Sequence, residues 1–403
     1  MKKAELLAPV GSLSKLYTAL HFGADACYLG GKNFGLRSYA TNFEIPEIEE
    51  AVKLAHSMNR KIYITVNIFA MNADFPMLFD YLTELKRIGV DALIVSDAGI
   101  VYYIKKHFPQ FEIHLSTQAN TTNKYAVAFW RDIGVSRVVL AREINLDNIK
   151  EISDYMGGTV ELEAFVHGAM CISYSGRCLL STYLSSRDSN RGECVQACRW
   201  EYNLSEVNRK DNPLTITEDD RGTYILNSKD MNTMPFLDKI IEAGVTSLKI
   251  EGRMKSEYYV GTVVNAYRKR LDDYYMGKPY DKTLEEELLK VNHREYTSGF
   301  YLNNVEQCYH TSKPDNDYAF IAEVVDYDNE NKLLKVVQRN RFYAGDELEA
   351  VSVNGIKTII AKEILNEQHQ NVVDCKLVQQ VLYIKTDTPL QKYDMLRKKI
   401  NRG

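Results

Sequence analysis

Cys171, Cys178, Cys194 and Cys198 fall within 28 residues and account for four of the seven cysteines in a 403-residue chain. Thiolates are soft ligands, and four of them suit tetrahedral zinc or an iron-sulfur cluster. The spacing, Cys-x6-Cys-x15-Cys-x3-Cys, lacks the paired Cys-x2-Cys knuckles of structural zinc and the three closely set cysteines of radical S-adenosylmethionine enzymes. It favours a 4Fe-4S cluster held entirely by protein, with zinc as the alternative and reduced core thiols as the bland reading. Cys27, Cys308 and Cys375 stand apart and read as buried apolar residues. Arg177, Arg187, Arg191 and Arg199 surround the cluster against Asp188 and Glu193, interleaved with Tyr174, Tyr183 and Trp200. Arginines with aromatic rings hold phosphate and stack on exposed bases, although arginines also screen a negatively charged cluster.

A second set of candidates lies on two apolar runs. Alternation along Val160 to Gly168 puts Glu161, Glu163, Phe165 and His167 on one face. The run from Ser247 does the same with Lys249, Glu251 and Arg253. Asn67, Gln118 and Arg142 end three further runs. Carboxylates on a central strand must be paired, because an unpaired buried charge is very costly. These acids and cations are expected to meet at one polar mouth, as a catalytic site or as an ion-pair network.

The elements that must position them are legible as a rhythm. Four times an amphipathic helix ends at a glycine and a short apolar strand follows, at Gly23, Gly89, Gly134 and Gly244. With the other apolar runs this predicts eight strands, near 4–10, 25–30, 61–67, 91–97, 112–117, 137–141, 160–168 and 247–253. Helical patterns separate most of them, including Ile45 to Met58 with Pro46 in its first turn. Eight alternating units match a (β/α)8 barrel, with a doubly wound open sheet as runner-up. Its chemistry then belongs at the C-terminal ends of the strands. The rhythm breaks at about 168–233, read as a Cys-rich insertion after strand seven. The barrel domain is expected over 1–302, a linker over 303–317 and a small antiparallel β-barrel over 318–403.

Composition bounds the function. A chain 45% hydrophobic and 26% charged is globular, and a net charge of −4 gives no field over the whole molecule that would attract nucleic acid. An RNA site must therefore be a local patch, and Lys392 to Arg402, five cations against Asp394, is a modest second one. Apolar runs are strand-sized and the first ten residues lack a signal-peptide core, so a cytoplasmic protein with no membrane partner is expected. No Gly-x-Ser-x-Gly, His-Glu-x-x-His, P-loop or Gly-x-Gly-x-x-Gly motif is present.

Glu163-Ala-Phe-Val-His-Gly-Ala-Met-Cys171, Ser173-Tyr-Ser-Gly-Arg-Cys178 and Arg191-Gly-Glu-Cys-Val-Gln-Ala-Cys-Arg-Trp200 closely resemble the signature of peptidase family U32. Glu5 to Gly11, Gly23 to Ala26, Leu140 to Glu143 and Lys249 to Lys255 are similar to further family motifs, so the resemblance spans nearly the whole chain. Within the family the chain is most similar to the prephenate-dependent tRNA uridine hydroxylases of bacteria. That resemblance implies ligation of a 4Fe-4S cluster by the four clustered cysteines and conversion of wobble uridine to 5-hydroxyuridine, with prephenate as co-substrate. It also makes a paralogous family subunit plausible as a partner. On this reading the tRNA anticodon loop brings its uridine to the barrel mouth, Arg142 and Arg253 with Lys249 hold the prephenate carboxylates, and Glu163 and His167 transfer protons. The alternatives are the collagenase-like peptidase of the family name, with His167 beside a serine or cysteine, and a non-catalytic RNA-binding or assembly factor.

Overall fold

A computed structural model describes residues 3–35, 42–171, 173–174, 177–187, 189, 193–199, 217–219, 222–224, 229–302 and 317–400. Asp188, Arg191, Trp200, Cys308, Arg402, most of the linker, the polar stretch 207–213 and the side chains of Tyr183 and Arg199 lie outside the described residues.

Eight parallel strands close a barrel: β1 (Glu5–Pro9), β2 (Ala26–Gly30), β3 (Lys61–Val66), β4 (Ala92–Val95), β5 (Ile113–Leu115), β6 (Arg137–Val139), β7 (Glu161–Ala169) and β8 (Ser247–Ile250). Each pairs in parallel with the next, and β8 pairs with both β7 and β1, which excludes the open sheet. The glycines act as the rhythm requires. Gly89 ends the helix Phe75–Ile88 in the left-handed conformation, and β4 begins three residues later. The helix Ile45–Ser57 carries Pro46 in its first turn as expected, with the Glu47 carboxylate accepting the Glu44 backbone N–H at 2.8 Å.

The helices cover a continuous apolar layer outside the strands, whereas a much smaller cluster of Leu7, Ala26, Tyr28, Tyr63, Ala92 and Ile94 fills the interior. Glu5, Arg137, Glu163, Ser247 and Lys249 add a polar layer to that interior. Just past Ala169 the chain enters the insertion, and it returns as a short strand, Asp230–Asn232, antiparallel to the end of β7.

Residues 318–400 form a seven-stranded antiparallel sheet with its own core, as the hairpin pattern predicts, although its end strands, Gly355–Ile360 and Ile364–Leu365, do not pair to close the expected barrel. It docks against the first and last barrel helices, Leu13–His21 and Glu257–Tyr275, and the short helix Thr283–Leu289. His21 Nε2 lies 2.8 Å from Asp394 Oδ1, Tyr258 stacks on Phe320, and Val351 and Met395 join the barrel's own apolar layer. No helix among the described residues is long and apolar enough to cross a membrane.

Candidate functional site at the barrel mouth

The two β7 carboxylates do not face the mouth as expected. Glu161 and Glu163 belong to a charged layer near the N-terminal ends of the strands, organised by a residue the sequence pattern did not single out, Arg137 on β6. Its guanidinium reaches Glu5, Glu161 and Glu163 at 2.6, 2.6 and 3.2 Å. Glu163 is fully buried, and it also accepts from Lys249 Nζ at 2.7 Å and Ser247 Oγ at 3.1 Å. Burial by itself would raise the Glu163 carboxyl, but Lys249 and Arg137 hold it down to about 2. A carboxylate so committed is a poor proton carrier at neutral pH, and this layer is the ion-pair network. Lys249, also expected at the mouth, is tied into it and lies over the Tyr28 and Phe165 rings.

His167 is the second correction. The β7–β8 register pairs Phe165 with Lys249 but His167 with Ile250, so a bulge inserts one residue and reverses the side-chain alternation. His167 thus points away from the interior, into a cage of Tyr259, Tyr267 and Tyr296, with ring centroids 5.4 to 5.9 Å away. Its Nδ1 is 3.4 Å from the Tyr267 hydroxyl and its buried Nε2 has no hydrogen-bond partner among the described residues. Burial, then the charges of Lys255 and His293, push its pKa down to about 3. Glu163 and His167 are therefore on opposite faces of β7 and do not form a proton-transfer pair. Gly168 follows with φ +106°, and a Cβ there would lie 2.6 Å from the Glu251 carbonyl oxygen, so glycine is required where the chain leaves the barrel.

The mouth itself is built by other residues. Arg253 follows β8 and lies over Gly30, where a Cβ would come within 2.2 Å of its guanidinium, to reach Thr65 Oγ1 at 3.1 Å on β3. Arg142, after β6, stacks 4.0 Å from the Phe165 ring centroid and donates to the Ala169 carbonyl at 2.7 Å. No carboxylate among the described residues is ion-paired with Arg142. Glu143 beside it is raised by burial, and one of its oxygens is buried without a partner among the described residues. Glu251 sits at the rim, where its backbone N–H donates to His167 O at 2.8 Å. On the far side Asn67 Nδ2 donates to Gln118 Oε1 at 2.7 Å across the intervening β4. The mouth thus offers two guanidinium groups, aromatic faces and neutral amides, a set suited to an anionic small molecule beside a planar ring.

The insertion lies over this end of the barrel. Arg177 is 5.7 Å from the Phe69 ring, on the loop after β3. Ser181 accepts from the Val195 N–H at 3.2 Å and lies 4.0 Å from Cys194 Sγ, and Ser189 donates to the Cys178 carbonyl at 2.6 Å. These bonds tie the Cys178 and Cys194 segments together. Cys171 and Cys194 are exposed and Cys178 and Cys198 half-buried, whereas Cys27 and Cys375 are fully buried elsewhere, as expected. Four sulfur donors, one just past β7 and three further along the insertion, fit an iron-sulfur cluster in chemistry. Among the described residues, however, no three His, Cys, Asp or Glu side chains are grouped as metal ligands.

A closed (β/α)8 barrel with cationic and amide groups at its C-terminal mouth, and a sulfur-rich insertion above them, defines a barrel of the enzyme type. The chain belongs to peptidase family U32: residues 11–311 match the model of that family and residues 316–397 the model of its C-terminal domain. It is 40% identical over 405 residues to tRNA hydroxylation protein P1 of Bacillus subtilis, covering 98% of this chain and 95% of that one. With tRNA hydroxylation protein P of Escherichia coli it shares 37% identity, over 88% and 87% of the two chains. The 23S rRNA 5-hydroxycytidine C2501 synthase of Escherichia coli is 38% identical over 67% of this chain and 39% of its own length.

Proposed function

We propose that this protein is a tRNA-modifying enzyme that hydroxylates the wobble uridine to 5-hydroxyuridine in the cytoplasm, with prephenate as co-substrate. The observation that carries the reading is full-length similarity to two tRNA hydroxylation proteins together with a mouth where Arg142 and Arg253 stand among neutral amides and aromatic rings. An anticodon loop is already single-stranded, so presenting its base costs less than extracting one from a duplex. Arg142 and Arg253 are the groups to hold the carboxylates of prephenate; Lys249 is not, being committed to Glu163. Cys171, Cys178, Cys194 and Cys198 would hold a 4Fe-4S cluster, which supplies redox chemistry or a Lewis-acidic iron when bound. The raised carboxyl of Glu143 makes it a better candidate than Glu163 to hold a proton at the mouth.

The peptidase alternative needs a nucleophile beside a positioned base. Among the described residues His167 is hydrogen-bonded to Tyr267 and to no serine or cysteine, which leaves that reading without its dyad. Nucleosides of tRNA from cells with and without the gene, compared by mass spectrometry, test the proposal. Loss of 5-hydroxyuridine on deletion, restored by the wild-type gene but not by Arg142→Ala, is expected. Unchanged 5-hydroxyuridine in a strain with no second family member would overturn it.

A further inference from the structure

Gln118 is 96% buried on the loop after β5, with two hydrogen bonds to its amide oxygen. Its Oε1 accepts from Asn67 Nδ2 at 2.7 Å and from Ser116 Oγ at 3.2 Å. With Asn67 and Ser116 both donating to its oxygen, the Gln118 amide turns its Nε2 group away from them. The Nε2 group is therefore fixed as a donor, and it has no acceptor among the described residues. Three residues on, the Thr121 hydroxyl is also buried without a partner among the described residues, where the Thr121 carbonyl accepts the N–H of Ala141 beside Arg142. A buried N–H group left unpaired costs ~1–3 kcal/mol, a cost ordinarily recovered when a ligand or water arrives.

We infer that Gln118 Nε2 donates to the C4 carbonyl oxygen of the pyrimidine taken into the mouth, and so selects uridine over cytidine. This rests on the function proposed above and names the discriminating group within it. The amide is neutral and its neighbours Asn67, Ser116 and Thr121 are neutral, which matches a ring carbonyl, whereas a carboxylate is better served by Arg142 and Arg253. Cytosine carries an amino group at C4 in place of oxygen, so two donors would face each other. A site built to hydrogen-bond one group rejects an analogue that cannot complete the bond. The C2 carbonyl is common to both bases and gives no such choice.

Gln118→Glu is the informative variant. It keeps an oxygen for Asn67 and Ser116 and replaces only the donor with an acceptor. Purified full-length protein should bind an anticodon stem-loop bearing uridine at the wobble position about 10- to 100-fold more tightly than the cytidine version. Gln118→Glu should abolish or reverse that ratio, and Gln118→Leu should bring it near unity, with thermal unfolding confirming that both variants are folded. Equal binding of the two loops by wild-type protein, or an unchanged ratio in a folded variant, overturns the assignment. A variant that keeps the ratio but needs more prephenate for turnover assigns the amide to the acid and equally overturns it. Nucleoside analysis of a complemented deletion strain separates the two claims: if wild-type protein distinguishes the loops yet restores no 5-hydroxyuridine, the proposed function fails and the base selection stands.

Discussion

Lys249 Nζ sits 2.7 Å from Glu163 Oε1 inside the barrel, with both side chains removed from water and Arg137 against the other carboxylate oxygen. Glu163→Gln leaves two cations facing a neutral amide in a dry interior, and should cost about 3–5 kcal/mol in urea unfolding. The pH dependence follows from the depressed carboxyl. It titrates at about 2 when folded against an ordinary 4.5, so its contribution is present above pH 4.5 and is lost as pH falls toward 2. Wild-type protein should lose that stability in this window, and the glutamine variant should show a flatter profile there.

His167 gives a separate window. Its folded pKa is lowered from 6.5 to about 3, so between those values the unfolded chain binds a proton that the native state refuses. Stability therefore falls as pH drops below 6.5. Between pH 7.5 and pH 5 this group should account for ~2 kcal/mol, from one and a half pH units at 1.36 kcal/mol each. In His167→Gln the difference between those two pH values should shrink by about that amount, and Glu163 does not interfere above pH 4.5. An equal difference in the two proteins would show that the tyrosine cage admits the imidazolium.

The eight strands were legible from short runs of branched apolar residues, four of them after a glycine that ends a helix; closure was not, since spacing fits an open sheet equally and the β8–β1 pairing decides it. The sites were less so. Alternation assigns faces correctly only while a strand stays regular, and the β7 bulge, set by pairing with β8, has no signal in the β7 sequence itself. Height along the barrel was invisible as well: Glu163 looked like a mouth residue until Arg137 and Glu5 placed its layer near the strand beginnings. Arg137 could have been found as a lone cation in an apolar strand. The tyrosines around His167 could not, since Tyr259, Tyr267 and Tyr296 come from more than 90 residues downstream. The cysteines were the clearest case, because ligand chemistry is carried by residue type and needs no geometry to be read.

That chemistry can be checked without activity. In protein purified without oxygen, serine at any one of Cys171, Cys178, Cys194 or Cys198 should lower bound iron and sulfide and weaken the absorbance of the cluster. Cys27→Ser and Cys375→Ser, at fully buried sites outside the insertion, should keep both, at some cost in stability. Iron retained in all four insertion variants, or zinc in its place in wild-type protein, would remove the cluster assignment.

The two domains are joined by Arg397, a fully buried arginine of the C-terminal sheet that reaches Glu287 on the barrel side at 2.7 Å and Glu349 in its own sheet at 2.6 Å. Lys290 pairs with the same two carboxylates from the barrel side, at 2.9 and 3.1 Å. Around this cluster Met395 packs against Gly261, whose missing side chain allows the approach. Because ions and apolar contacts both cross the joint, the wild-type domains should unfold in one calorimetric transition. Arg397→Met removes the buried cation and keeps most of its bulk, leaving Lys290 to balance two acids. It should cost about 3 kcal/mol and split the transition in two, the C-terminal sheet melting first, while the uridine-to-cytidine binding ratio is unchanged. A single transition in the variant would mean that Met395, Val351 and Phe320 hold the joint without the ion cluster.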